Sequence, residues 1–224
     1  PGAPIRTNSI EKVIREEIGA SVLALRDAGL PFFPNAAWAD VLLRRSPRQA
    51  NGALTSTGDS VGDITESLRH SENSYVAVQG PPGTGKTYVG AHVIANLVKQ
   101  GWKVGVVAQS HAVVEHLMDS VAKLDPNIPL AKKGQSDKSR PSYHTDDIAL
   151  WALGMAGSGY LVGGTTWTFS RPDVRLLGLD LIVIDEAGQF SLANSLAVIS
   201  AAKRALLLGD PQQLPQVSQG EHPE

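Results

Sequence analysis

The chain has 224 residues, 20 basic and 22 acidic side chains for a net charge of −2, and an apolar fraction of 42%. That length suits one domain, or one domain with an extension, and the charge balance supplies no global basic field that would announce a nucleic-acid partner. The absence of cysteine excludes disulfide scaffolds, thiolate metal sites and cysteine nucleophiles. With no apolar run near the roughly 20 residues of a membrane span and no signal-peptide pattern in PGAPIRTNSI, a cytoplasmic protein with no membrane partner is expected.

In chain order, Ile10, Val13, Ile14, Ile18, Val22, Leu23 and Leu25 recur at helical spacing and predict a helix over residues 9–30, ended by Pro31 and Pro34. A short helix is expected over residues 37–45, then a loop rich in Ser, Gly, Thr and Asn over residues 46–60. This divides the chain into a helical accessory region, residues 1–70, and a domain over residues 71–224. Downstream the pattern becomes strand, loop, helix, repeated. Strands are predicted at residues 75–79, 104–108, 179–184 and 205–208, and helices at 86–100 and 111–123. Near-continuous apolar runs such as residues 179–184 suit strands buried on both faces of a parallel sheet, and the alternation predicts an α/β fold with a mostly parallel sheet. The polar segment 131–147, with Lys132, Lys133, Lys138 and Arg140, reads as an exposed loop, either a solvated insertion or a phosphate-tracking patch.

Residues 80–87, GPPGTGKT, fill every fixed position of G-x-x-x-x-G-K-[ST], after a predicted strand and before a predicted helix. Gly80, Gly83 and Gly85 let the backbone turn tightly, and Pro81, Pro82 and Thr84 complete the loop. Its amides then point at a phosphate from a helix N-terminus, where the dipole favours an anion. Lys86 reaches the β- and γ-oxygens of a nucleoside triphosphate, ATP or a close relative, and the hydroxyl of Thr87 ligates Mg²⁺. The apolar run of residues 181–184 ends in Asp185 and Glu186. Ligands of open α/β sheets bind beyond the carboxyl ends of the strands. Asp185 is therefore expected to hold the metal with Thr87, and Glu186 to orient and deprotonate the attacking water. A third strand end, LLLGDPQQLP, carries Asp210 and Gln213 to the same edge. Gln213 fits a sensor of the γ-phosphate or a proline-rich turn leaving the sheet, and spacing alone does not choose.

Together these segments resemble superfamily-one helicases, in the branch that includes the nonsense-mediated-decay RNA helicase and the eukaryotic replication helicase-nuclease. The similarity runs over residues 75–217 through GPPGTGKT, VVAQSHAVVEHL, GGTTWTF, IDEAGQ and LLLGDPQQLPQV, in that order. With LLRRSPR upstream, the chain also resembles bacterial proteins that join such a helicase to a RecB-like nuclease. The resemblance implies a RecA-like P-loop NTPase domain with an N-terminal helical extension, ATP and Mg²⁺ as cofactors, and single-stranded DNA or RNA as partner. It assigns Lys86, Thr87, Asp185, Glu186 and Gln213 to catalysis, and adds Gln189 to the nucleotide or motor-coupling network. Ser110, His111, Thr165 and Thr166 would touch a nucleic-acid backbone, a contact that positions a strand without reading it. Trp167 suits stacking on a base or packing in the core equally. Gln216 stands where the family carries a second proline. The second motor domain, with its arginine finger, is not among these residues, so a fragment of a larger protein is expected, one that binds nucleotide and hydrolyses it poorly alone. A competing reading is a nucleotide-switch module that does not translocate; a small-molecule kinase is disfavoured by the IDEAGQ and GDPQQLP segments.

Overall fold

The computed structural model describes residues 9–30, 33–134, 143 and 145–210. The elements, in chain order, begin with α1 (Ser9–Lys12), a π-helical stretch (Val13–Ile18) and α2 (Gly19–Asp27), one continuous helical rod. Then come α3 (Ala37–Leu42), α4 (Ser60–Arg69), β1 (Tyr75–Gln79), α5 (Lys86–Lys99), β2 (Lys103–Val107) and α6 (His111–Leu124). The rest are β3 (Leu130–Lys132), α7 (Ile148–Leu153), β4 (Tyr160–Gly164), α8 (Thr166–Phe169), α9 (Pro172–Arg175), β5 (Leu179–Ile184), a 3₁₀ turn (Ala187–Gln189), α10 (Leu192–Ile199) and β6 (Ala202–Gly209).

Among the described residues six strands form one sheet in the order β1-β6-β5-β2-β4-β3, and each of their pairings is parallel. All strands therefore point the same way, and all their carboxyl ends meet at one edge. The strand period of two sorts side chains to opposite faces. In β5, Leu181 and Val183 join a core with α4, α5 and α6, while Ile182 and Ile184 join another with α3, α8 and α10. The predicted α/β class with a mostly parallel sheet is what the chain adopts.

The second core explains the N-terminal segment. Trp38, 8% exposed, packs there with Ala37 and Ala39, and Ile18 of the rod joins it. Ile10 and Val13 pack on Ala197 of α10. Asp40, wholly buried, accepts from Arg48 Nε at 2.9 Å and from the Ser74 hydroxyl at 2.7 Å, tying α3 to the entrance of β1.

One element was missed and one expectation is corrected. The loop predicted over residues 46–60 is followed by an unpredicted helix, α4 (Ser60–Arg69), capped by Asp59, whose carboxylate accepts from the Val61 amide. Its Val61, Ile64 and Leu68 face the core, but Gly62, Thr65 and Ser67 dilute the pattern. Lys132 is not in an exposed loop. It belongs to β3 and is 1% exposed, because Glu115 of α6 meets it inside the protein. Among the described residues no helix is long and apolar enough to cross a membrane.

Candidate functional site

The strand order decides what stands beside what. β1 pairs with β6 and β6 with β5, so the loop after β1, the end of β6 and the end of β5 lie in adjacent lanes, each about 4.8 Å wide. The Gly80 amide donates to the Gly209 carbonyl at 3.2 Å, and the Asp185 amide to that of Val107 at 3.0 Å, so the pairing reaches the strand tips. Gly83 and Gly85 both hold left-handed backbone, φ +81° and +82°, which lets the loop reverse and start α5 at Lys86. Gly85 caps α5 without a side chain, so the first amides of a fourteen-residue helix are left to meet an anion.

A cavity of about 570 Å³ opens at this point. Pro82, Gly83, Gly85, Lys86 and Thr87 form one wall, Asp185, Glu186, Gly209 and Asp210 a second, and Ala112, Val113 and His116 of α6 a third. Lys86 donates through Nζ to the carbonyls of Gly80 and Pro81. Gly80, Pro81 and Thr84, with Lys86 again, line a neighbouring recess against α4 and β1. The sequence-predicted Lys86, Thr87, Asp185 and Glu186 thus converge on one space.

Asp185 is 5% exposed, and its pKa is pushed above the usual carboxylate range by burial; the Glu186 amide it accepts at 2.9 Å, Lys86 and His116 oppose the shift. Glu186 is likewise raised, by burial and then by the neighbouring Asp185 charge. The oxygen donors lining the cavity, the Thr87 hydroxyl and the carboxylates of Asp185, Glu186 and Asp210, are hard ligands of the kind Mg²⁺ takes alongside phosphate. No ion pair engages Asp185 among the described residues, so the residues present fit a metal-bound polyphosphate.

Gly188 of the IDEAGQ segment is explained by close approach. A Cβ there would stand 2.9 Å from the Asp210 carbonyl, so the turns after β5 and β6 abut backbone to backbone. Gln189 lies on that turn. Its carbonyl accepts from Gln109 Nε2 at 2.9 Å, linking the ends of β5 and β2, and its side chain is not among those lining the cavity. Gln213 falls outside the described residues.

The other predicted contacts stand further along the same edge. Ser110 caps α6, accepting from the Val113 amide at 3.3 Å, and half-buried His111 follows it. Thr165, Thr166 and Trp167 follow β4, the strand beside β2. Thr166 is buried, whereas Trp167 is 53% exposed. Sequence reasoning missed His116, which lines the cavity one helical turn beyond Ala112; the i, i+1, i+4 spacing of residues 112, 113 and 116 carries that signal.

A parallel sheet with a glycine-rich phosphate loop and an acid-tipped neighbouring strand defines a P-loop nucleotide-binding domain of RecA-like architecture. Residues 62–223 match the model of the AAA domain family. The DNA replication ATP-dependent helicase/nuclease DNA2 of Saccharomyces cerevisiae is 26% identical over 162 residues, which cover 63% of this chain and 10% of that protein. The ATP-dependent DNA helicase RecG of Treponema pallidum is 30% identical over 154 residues, covering 68% and 21%. Among solved structures, a nuclease-deletion mutant of the Type ISP restriction-modification enzyme LlaGI, in complex with a DNA substrate mimic, superposes with a TM-score of 0.50 at 17% identity, covering 69% of this chain and 17% of that one. The chain belongs to the AAA domain family, and it is similar over most of its length to parts of ATP-dependent DNA helicases and helicase/nucleases. It spans between 10% and 21% of the length of the two relatives named.

Proposed function

We propose that the cavity binds ATP with Mg²⁺ and hydrolyses it to drive movement along a single strand of DNA or RNA. The observation that carries this reading is the convergence of Lys86, Thr87, Asp185 and Glu186 on one space at an uncapped helix start. Residues 71–224 are then the motor domain and residues 1–70 an accessory region that buttresses it. A cytoplasmic location goes with the same reading.

The residues divide the work by their chemistry. The loop amides and the Lys86 ammonium hold the β- and γ-phosphate oxygens. Thr87 and Asp185 would ligate Mg²⁺, which when bound neutralises charge developing on those oxygens. Glu186 accepts the proton of the attacking water, and its raised pKa makes it a stronger base than an ordinary carboxylate. Gln213 senses the γ-phosphate, and Gln189 relays the state of the site through Gln109 towards β2. The strand lies across Ser110, His111, Thr165, Thr166 and Trp167, with the exposed indole as a base-stacking surface. The loop residues Pro81, Pro82, Gly83, Thr84 and Gly85 are exposed, which leaves room for a second RecA-like domain to close on the nucleotide and bring an arginine finger, worth about 10³–10⁵ in rate in such enzymes. A nuclease domain in the same polypeptide is a further proposal, supported by the helicase/nuclease name of the relative.

Two measurements test the reading. Lys86→Ala is expected to abolish nucleotide binding in a protein with unchanged circular dichroism; retained ATP affinity in the folded variant defeats the assignment. ATP hydrolysis by the intact protein should rise on adding single-stranded DNA or RNA. A rate indifferent to both would point to a switch without translocation.

A further inference from the structure

One buried charged cluster takes no part in the scheme above. Lys132 on β3 is 1% exposed, and its Nζ lies 3.0 Å from Glu115 Oε1 on α6, itself 5% exposed. An ammonium group has three donors and no acceptor. Each donor finds a partner here: Glu115, the carbonyl of Gly134, and Nδ1 of His111 at 3.1 Å. A buried charge survives only when so paired and hydrogen-bonded. The ammonium can only donate, so Nδ1 of His111 carries the lone pair and the ring proton resides on Nε2. Gly134 closes the cage. Its φ is +76°, and a Cβ there would stand 2.6 Å from His111 Cε1. Burial and then the Lys132 charge, opposed by Glu115, hold the His111 pKa below the ordinary histidine value.

His111 opens α6 directly after Ser110, whose hydroxyl is occupied as the helix cap. We propose that Lys132 is a positioning residue for strand binding: it locks His111 as the neutral Nε2–H tautomer, so this residue meets a nucleic-acid phosphodiester as a hydrogen-bond donor and not as a cation. The proposal rests on the nucleic-acid reading above, and it gives the buried pair a task beyond stability. A neutral donor releases no counterion, so it contributes affinity without contributing to the salt dependence of binding.

Two readouts on the full chain separate the outcomes. The first needs no nucleic acid. Long-range proton–nitrogen spectra of the histidine rings, with His111 identified by the signal lost in His111→Gln, should show a bare Nδ1 and a protonated Nε2 that persist on acidification through the ordinary histidine range. In the double variant Lys132→Met with Glu115→Gln, which removes both buried charges and strands neither, Nδ1 loses its donor and the ring should no longer show the Nε2–H tautomer alone. A wild-type His111 protonated on Nδ1, or titrating normally, overturns the proposal whatever the double variant does. The second readout is binding of an oligodeoxythymidine across a salt series. His111→Ala should weaken binding roughly 2- to 10-fold, the loss of one hydrogen bond, with the slope against salt unchanged. A slope lower by about one marks a cationic contact and overturns the proposal, as does unchanged affinity. If the wild-type chain binds no oligonucleotide at any salt concentration, the nucleic-acid reading fails together with the strand-binding half, and the ring spectra judge the tautomer separately.

Discussion

Glu186 holds left-handed backbone, φ +54° and ψ +41°, a conformation costing a non-glycine residue about 1–2 kcal/mol. Strain of this kind persists where surrounding structure demands it, and here the turn must bring Gly188 against Asp210. The same turn holds Asp185 in a site that burial makes unfavourable for its charge. An acid whose folded pKa exceeds its unfolded one binds protons more tightly when folded, so this group lowers stability as pH rises from the ordinary carboxylate range through its folded value. Asp185→Asn is therefore expected to stabilise the nucleotide-free protein at neutral pH by about 0.5–2 kcal/mol, to flatten its stability profile over that acid window, and to abolish Mg²⁺-dependent nucleotide binding. Thermal melts across pH would check it; a less stable variant contradicts the burial argument. At Gly85, φ +82° makes Gly85→Ala cost about 1–2 kcal/mol of loop strain, to be read as a loss of nucleotide affinity larger than any loss of melting temperature.

At the scale of elements, legibility followed chemistry. β1 and β5 begin and end where their apolar runs do, and α5 and α6 within a residue of their predicted ends, because glycine, serine and the change of period mark them. β4 was not predicted: its run ends in Gly163 and Gly164, which in the fold make room for Met118 and Thr168. The meeting of Lys86, Thr87, Asp185 and Glu186 in one cavity was legible because a strand tip fixes the place of the residue after it. The burial of Lys132 was not, since only the facing Glu115, seventeen positions earlier, makes a buried lysine tolerable. Trp38 shows the same limit, for its local helix says nothing of the sheet it covers. Trp38→Ala is expected to cost about 3–5 kcal/mol, measured by denaturant unfolding, although it lies outside the family-matched residues 62–223. A cost below about 1 kcal/mol would show that the accessory region is only loosely attached.

For the molecule as a whole, nucleotide should act as a stabiliser. A ligand that binds only the folded state, present at about 100 times its dissociation constant, adds about 2.7 kcal/mol. ATP with Mg²⁺ should therefore raise the melting temperature by several degrees, and Lys86→Ala should remove the shift. Scanning calorimetry with and without chelator tests both.

The wall of Trp38, Ala37, Ala39 and Ile18 laid over one side of the sheet has a practical corollary. Trimming the polypeptide to the family-matched residues 62–223 would peel that wall away and bare a greasy slab to water. Such a trimmed product would clump or cling to chaperones before its catalytic competence could be judged, so an inactive short version says little about the motor.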